Sequence, residues 1–273
     1  MKLTLSDQNG LRTVRECCEC LLRAHFYRCC GLHKCQLCSL MRGWQSNDCL
    51  RRVIEMSKDA ADAIIELYQE NSSAWIGLRG QTLFEQPWLD KFLSVTAKGG
   101  RQVLDLGCGS GQPIAEYFIS NGIEITGIDG AAALTETARE SFPEHTWIAA
   151  DMRNLPPLGR FHGLIAWHSF FHLTPEDQRP MFETFGRLCH PGAALMFTSG
   201  TSLGEEIGTF EGQPLYHGSL DATEYQSLLQ TNGFDLVEHV EEDPTCGGAT
   251  IWLAQKKSCE PNSRSFLKEL TLP

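Results

Sequence analysis

The stretch VLDLGCGSG, Val103–Gly111, sets one carboxylate, Asp105, ahead of three alternating glycines, Gly107, Gly109 and Gly111. A glycine-rich turn between a strand and a helix brings backbone N–H groups close to a ligand, most often a phosphate. Asp105 argues against phosphate. A carboxylate next to a pyrophosphate meets like charge, whereas next to an ammonium or a sulfonium it is favourable. The spacing also departs from the dinucleotide fingerprint, because Gln112 stands where a third glycine would come close to the helix. S-adenosylmethionine carries an amino group, a sulfonium and an adenosine but no phosphate, and it suits this loop. Pro113 fits the first turn of the helix that follows, where its missing N–H costs nothing.

Two further acids stand at matching places. Asp129 ends the segment EITGID, where a carboxylate can take both hydroxyls of a ribose. Asp151 ends TWIAAD, where an acceptor can meet an adenine amino group and Met152 can pack on the ring. Aromatic and imidazole groups follow the next apolar run: Trp167, His168, Phe171 and His172.

The elements that must position these residues alternate. QVLDL, EITGID, TWIAAD, GLIAWH and ALMFTS read as strands. Helices are expected at 57–71 with Ser57 as N-cap, at 83–97, and between successive strands. A last helix over DATEYQSLLQTNG, capped by Asp221, precedes a closing antiparallel pair, FDLVEHVEED and ATIWLAQ, around PTCGG. Strands alternating with helices imply a parallel sheet covered on both faces.

VLDLGCGSGQP, ITGIDGA, AADMRNLP and FHGLIAWHSFFHL resemble the successive motifs of class I S-adenosylmethionine-dependent methyltransferases. RLCHPGAALMFTSG resembles that family's fifth strand, entered through a Pro-Gly turn. The resemblance runs from about Ala60 to Lys257. It implies a doubly wound, Rossmann-like α/β fold with a seven-stranded sheet, order 3-2-1-4-5-7-6, the last strand antiparallel and helices on both faces. It implies cofactor contacts from Asp105, Gly107, Cys108, Gly109, Gly111, Gln112, Pro113, Asp129, Gly130, Asp151, Met152 and Trp167. An upstream segment often folds over the cofactor in this family, and Arg79 in SSAWIGLRG is placed to pair with a methionine carboxylate. The residues after the fourth strand border the transferable methyl. His168 is the first candidate base and His217 the second, needed only if the acceptor must lose a proton. His172 and Tyr216 are candidate acceptor contacts, Tyr216 and His217 lying in the long insertion before Asp221. The bland alternative makes the Phe170–His172 stretch core and helix entry, Arg79 a surface residue and the insertion an ordinary loop.

Charge divides the chain. Residues 1–55 hold nine Lys/Arg against five Asp/Glu, whereas the remainder accounts for a net charge of −11 overall by being strongly acidic. That acidic body disfavours nucleic acid as a partner and suits a small neutral or cationic molecule. No run of 18 apolar residues suggests a membrane span, and the start lacks a secretory apolar region, so a cytoplasmic location is expected. Three segments are expected: a basic extension 1–55, a methyltransferase domain 56–257 and a tail 258–273. Eight of the twelve cysteines fall at or before Cys49, including Cys17-x-x-Cys20 and Cys35-x-x-Cys38 with His33 nearby. Two readings stand, a zinc module or an extension outside the folded protein. The excess of cysteines and the shift in composition near Met56 favour the second, with no metal needed. Two other functions share the core motifs: an NAD-binding oxidoreductase, which must explain Asp105, and a catalytically silent S-adenosylmethionine-binding protein.

If the extension is dispensable, a chain beginning at Met56 folds and binds cofactor like the full chain. Unfolding of the shortened chain, or stoichiometric zinc that the full chain needs in order to fold, gives the opposite answer.

Overall fold

The computed structural model describes residues 55–96 and 100–258. The cysteine-rich segment up to residue 54, with both of its readings, and the tail from residue 259 lie outside them.

Among the described residues from Ile64 onward there are nine strands and seven α-helices. The strands are β1 (Gln102–Leu106), β2 (Glu124–Asp129), β3 (Thr146–Ala149), β4 (Phe161–Ala166), β5 (Cys189–Ser199), β6 (Gly204–Phe210), β7 (Gln213–Ser219), β8 (Phe234–Asp243) and β9 (Ala249–Lys256). The helices are α1 (Ile64–Glu70), α2 (Ser72–Arg79), α3 (Gln86–Val95), α4 (Ile114–Ser120), α5 (Ala132–Ser141), α6 (Pro175–Leu188) and α7 (Ala222–Thr231). Seven strands form one sheet in the order β3-β2-β1-β4-β5-β9-β8. The four pairings that join the strands up to β5 are parallel, and β9 runs antiparallel to both β5 and β8. With the β6–β7 hairpin set aside, this is the expected 3-2-1-4-5-7-6 order.

Alternation along the strands divides the core between two faces. Leu104, Leu106, Leu164, Ala166, Leu195 and Phe197 pack with Phe182 and Phe185 of α6 and Tyr225 of α7. Val103, Ile125, Ile165, Ala194 and Met196 point the other way, onto Trp88 and Phe92 of α3 and Phe118 of α4. Burial on both faces explains why these strands read as near-continuous apolar runs. Asp221 caps α7 as expected, accepting from the Glu224 N–H at 2.8 Å.

The structure corrects several expectations. Ser57 is no N-cap: residues 55–62 are already helical, and Ser57 is buried inside that turn. The expected helix ends at Asn71 but is interrupted at Ala63, and SSAWIGLR, for which no helix is expected, is a helix of its own, α2. Asp151 lies beyond the end of β3 and caps a short 3₁₀ turn, Met152–Asn154. The Pro-Gly turn before the fifth strand is instead an irregular start to β5. Phe161 pairs with Cys189 and Gly163 with Ala194, so the extra residues bulge at Gly192, whose φ is 80°.

The insertion before Asp221 is a hairpin, β6–β7, closed by Glu211-Gly212 with φ of 49° and 76°. Two positive φ angles are the geometry of a tight type I′ turn. The hairpin packs on α1 through Phe210, Leu215 and Tyr216 against Ala61, Ile64 and Leu67, forming a third, smaller core. The N-terminal helices and the hairpin, distant in sequence, make one cap over the carboxyl end of the sheet.

A cap with its own small core opens as a unit. Phe210 stacks on Tyr68 at 5.9 Å and meets Trp75 edge-on at 6.3 Å. Phe210→Ala should raise amide hydrogen exchange in 64–79 and 204–219 together, while β1 and β4 keep their protection.

Candidate active site

All three loop glycines have positive φ: 77° at Gly107, 56° at Gly109 and 79° at Gly111. This alternation of left-handed positions, which side chains resist, is the physical reason for the glycine spacing. The loop is tied to β2, where the Ile128 carbonyl accepts from the N–H groups of Gly107 and Cys108 at 2.7 and 3.1 Å. Cys108 packs downward against Trp147 and Ile125.

Asp129 anchors the loop from the other side. One carboxylate oxygen accepts from the Gly109 N–H and the other from the Ala131 N–H, both at 2.9 Å. A carboxylate has about four acceptor positions, so two remain for a ligand. Asp105 is buried on the neighbouring strand with no cation beside it among the described residues. Burial first, and then the Asp129 charge, push its pKa up to about 7. Two adjacent acids without a base form a site that a cation completes.

A cleft of about 710 Å³, mouth included, opens above these groups. Its floor is Gly107, Gly109, Asp129 and Gly130, and one end is apolar, with Leu134 and Met152. Ile65 of α1 lies so close over Gly130 that a Cβ there would come within 2.6 Å of it. Gln69 of the same helix accepts from the Ala133 N–H at 3.0 Å, docking α1 on α5. Trp75 leans over Gly109. The other end is polar and aromatic, with Tyr68, His168, Ser169 and His172. Ser169 packs against Gly107 and donates to the Leu106 carbonyl at 2.6 Å.

Among the predicted residues the cleft gathers Gly107, Gly109, Asp129, Gly130, Asp151, Met152, His168 and His172. Asp105, Cys108, Gly111, Gln112 and Pro113 shape the loop without lining the cleft. Arg79 is engaged elsewhere, paired with the buried Glu85 at 2.6 Å. Trp167 is buried beneath the site in the core with Trp88. Tyr216 is fully buried, its hydroxyl donating to Glu205 at 2.6 Å, and only its carbonyl reaches the site, through His172. His217 stacks on His172 with ring centres 5.1 Å apart. His168 has a φ of 50°, a strained value for a side-chain-bearing residue, and its N–H donates to Thr198 Oγ1 at 2.9 Å. Burial holds His168 and His172 down to about 3 and His217 to about 4, so all three rings are neutral at neutral pH.

Residues 103–192 match the family model described as a methyltransferase domain. That match supports a class I S-adenosylmethionine-dependent methyltransferase, and the matched stretch carries the glycine loop, Asp105, Asp129 and Asp151. It is 24% identical over 163 residues to the O-methyltransferase resE of Aspergillus sclerotiorum, covering 54% of this chain and 60% of that one. The chain thus spans less than two thirds of that relative's length. A methyltransferase from Burkholderia thailandensis, solved with 1,6-didemethyltoxoflavin and S-adenosylhomocysteine, shares the fold with a TM-score of 0.57 and 18% identity, over 74% of this chain and 91% of that one. CalS10, an amino pentose methyltransferase from Micromonospora echinaspora solved with its S-adenosylmethionine, gives 0.54 and 18%, over 69% and 97%.

The SSAWIGLRG segment expected over the cofactor brings Trp75 to the cleft rather than Arg79, and three polar cleft residues escaped sequence reasoning: Tyr68, Ser169 and Arg153. Arg153 grips Asp151 by its N–H, Nε and Nη2 at 2.7–3.0 Å and reaches Asp177 at 3.1 Å. The i, i+2 spacing of Asp151 and Arg153 was the available signal. Tyr68 and Ser169 carried none, because their partners lie far away in sequence.

Asp105 yields a stability test with a definite sign. A carboxyl whose folded pKa is raised penalises the folded state as pH rises above about 4, and fully above about 7. Asp105→Asn should therefore stabilise the ligand-free protein at pH 8 by up to about 4 kcal/mol, a gain that fades toward pH 4. Urea unfolding at the two pH values measures it, and equal midpoints for variant and wild type at pH 8 would show that Asp105 carries no such strain.

Proposed function

We propose that this chain transfers a methyl group from S-adenosylmethionine to a small-molecule acceptor. The observation that carries the reading is the pair of acids, buried Asp105 and half-buried Asp129, at a glycine loop and without a basic partner among the described residues. It fits a cationic, phosphate-free nucleoside and disfavours a dinucleotide.

Each residue then has a job. The negative charge of Asp105 favours the cationic amino-acid end. Asp129 offers its two remaining acceptor positions to the ribose hydroxyls. Leu134 and Met152 enclose the base. Asp151, its carboxylate occupied by Arg153, holds that end of the cleft closed. Tyr68 and Trp75 exclude water from above, with the cap's small core behind them. When bound, S-adenosylmethionine supplies a methyl already activated by its sulfonium, so the protein's task is alignment in a dry pocket. His168, His172 and Ser169 face the acceptor end. The relative named an O-methyltransferase supports a small-molecule acceptor, as does the strongly acidic body.

Calorimetry should show binding of S-adenosylmethionine and S-adenosylhomocysteine and little binding of NAD or NADP. Asp129→Ala should weaken cofactor binding by on the order of 1–3 kcal/mol, because ribose hydroxyls would be left unpaired. Tighter binding of NAD than of S-adenosylmethionine would overturn the proposal. A metabolite screen that reads S-adenosylhomocysteine release then identifies the acceptor.

A further inference from the structure

We propose that Tyr68 and His172 form the proton-accepting chain of the transfer, and that the acceptor atom is a hydroxyl oxygen. Tyr68 touches the acceptor, and His172 acts through it as a positioning residue. The inference rests on the methyltransferase reading above.

The hydrogen bonds fix the direction of this chain. His172 Nδ1 lies 2.7 Å from the Tyr216 carbonyl, which can only accept, so Nδ1 carries the proton. In a neutral ring Nε2 then bears a lone pair. The 3.0 Å contact between Nε2 and the Tyr68 hydroxyl is therefore Tyr68 donating. The tautomer is set by backbone, as a metal-free equivalent of the way ligating histidines are oriented by the partner of their other nitrogen. Tyr68 lines the cleft, and its ring is clamped by Trp75 at 5.2 Å and Phe210 at 5.9 Å. Its oxygen keeps acceptor capacity for one more hydrogen bond. Among the described residues no other imidazole at the cleft has both a fixed tautomer and an oriented lone pair.

The step balances. As the acceptor oxygen bonds to the methyl carbon, the carbon–sulfur electron pair returns to sulfur. The oxygen's proton passes to Tyr68 Oη, and the Tyr68 proton passes to His172 Nε2. The product imidazolium donates from Nδ1 to Tyr216 and from Nε2 to Tyr68. The positive charge lost at sulfur is the one gained by His172.

Burial, then His217, hold the His172 pKa down, and the bond to Tyr216 opposes them. Such a weak base suffices here, because an oxygen that is gaining a third bond is a far stronger acid than an imidazolium. The titratable groups around the ring are Tyr68 on α1, His168 in its own loop and His217 on β7, with Glu205 beyond Tyr216. An ammonium acceptor fits poorly among these neutral rings: Glu205 is bonded to Tyr216, Asp151 and Asp177 to Arg153, and Asp129, whose charge reaches Tyr68, is taken up by the ribose in the reading above. A thiol ionises readily enough to need no such chain.

The test uses the full chain. With S-adenosylhomocysteine bound, ¹⁵N NMR should show His172 as the Nδ1–H tautomer, with Nε2 shifted by an incoming hydrogen bond that Tyr68→Phe abolishes. A panel of matched aryl and benzyl alcohols, amines and thiols, together with the acceptor from the metabolite screen, should show transfer to hydroxyls. For that transfer, Tyr68→Phe should lower kcat by about 10²-fold or more, the scale of general base catalysis, with S-adenosylhomocysteine affinity unchanged. His172→Gln should do likewise. A proton inventory in mixed H₂O and D₂O should be curved for wild type, with two protons in flight, and lose that curvature in Tyr68→Phe. An Nε2–H tautomer, unchanged kcat in Tyr68→Phe, or normal cofactor binding with no hydroxyl methylated would each overturn the proposal while leaving methyl transfer intact. Absence of cofactor binding by the wild type would overturn both.

Discussion

Two carboxylates on adjacent strands dominate the design of this site. β1 and β2 run parallel, with Asp105 opposite Gly127 and Asp129 two residues further on. Both acids are desolvated, and the Asp129 charge makes Asp105 harder still to ionise. Asp129 is relieved by the N–H groups of Gly109 and Ala131, whereas Asp105 has no such relief. The folded chain therefore holds an unmet electrostatic demand at one point. The glycine loop lies beside that demand, and its left-handed turn brings the Gly109 N–H to Asp129. Such stored strain is common where a protein is shaped for a ligand rather than for maximal stability.

The second constraint is closure. A sheet edge with open loops would leave the acids in water, where charge complementarity is weak. The cap removes that water, and it is built from two segments more than a hundred residues apart, α1–α2 and the β6–β7 hairpin. Ile65 over Gly130 and Gln69 on Ala133 attach it to the second strand and the helix that follows. Phe210, Tyr68 and Trp75 knit its halves together. The arrangement sets the cleft between a wall with its own small core and a floor in the main sheet.

The floor was legible in the sequence and the wall was not. Strand period, helix caps such as Asp221 and the acid-glycine spacing are local, and they lead directly to the parallel sheet and the loop, whereas the strand order comes only with the family resemblance. Ser57 was misread because an N-cap residue type says nothing of whether helix already precedes it. The hairpin passed for a loop because its turn is Glu211-Gly212, lacking the Asn or Asp that usually announces a type I′ turn. Arg79 looked available because sequence cannot show that Glu85, six residues on, is buried beside it. Tyr68 was legible only as one apolar-face residue of a helix. Its meaning comes from His172, 104 residues away.

The two ends of the cleft divide the electrostatic work. Anions gather at the glycine-loop end, while the β4 end is furnished with neutral imidazoles and aromatic rings. That separation matters for rate. An anion placed against a sulfonium would stabilise the bound cation more than the transition state, in which that charge is already leaving. Acids set toward the amino group and ribose strengthen binding without opposing the transfer. Neutral rings at the other end leave the departing charge free to reappear on the acceptor side, where the Tyr216 carbonyl already points at the nitrogen opposite the one that would receive the proton. On the proposed mechanism the carbonyl dipole is most useful at the moment His172 becomes cationic, which would make the fold complementary to the charge distribution after transfer begins rather than before it.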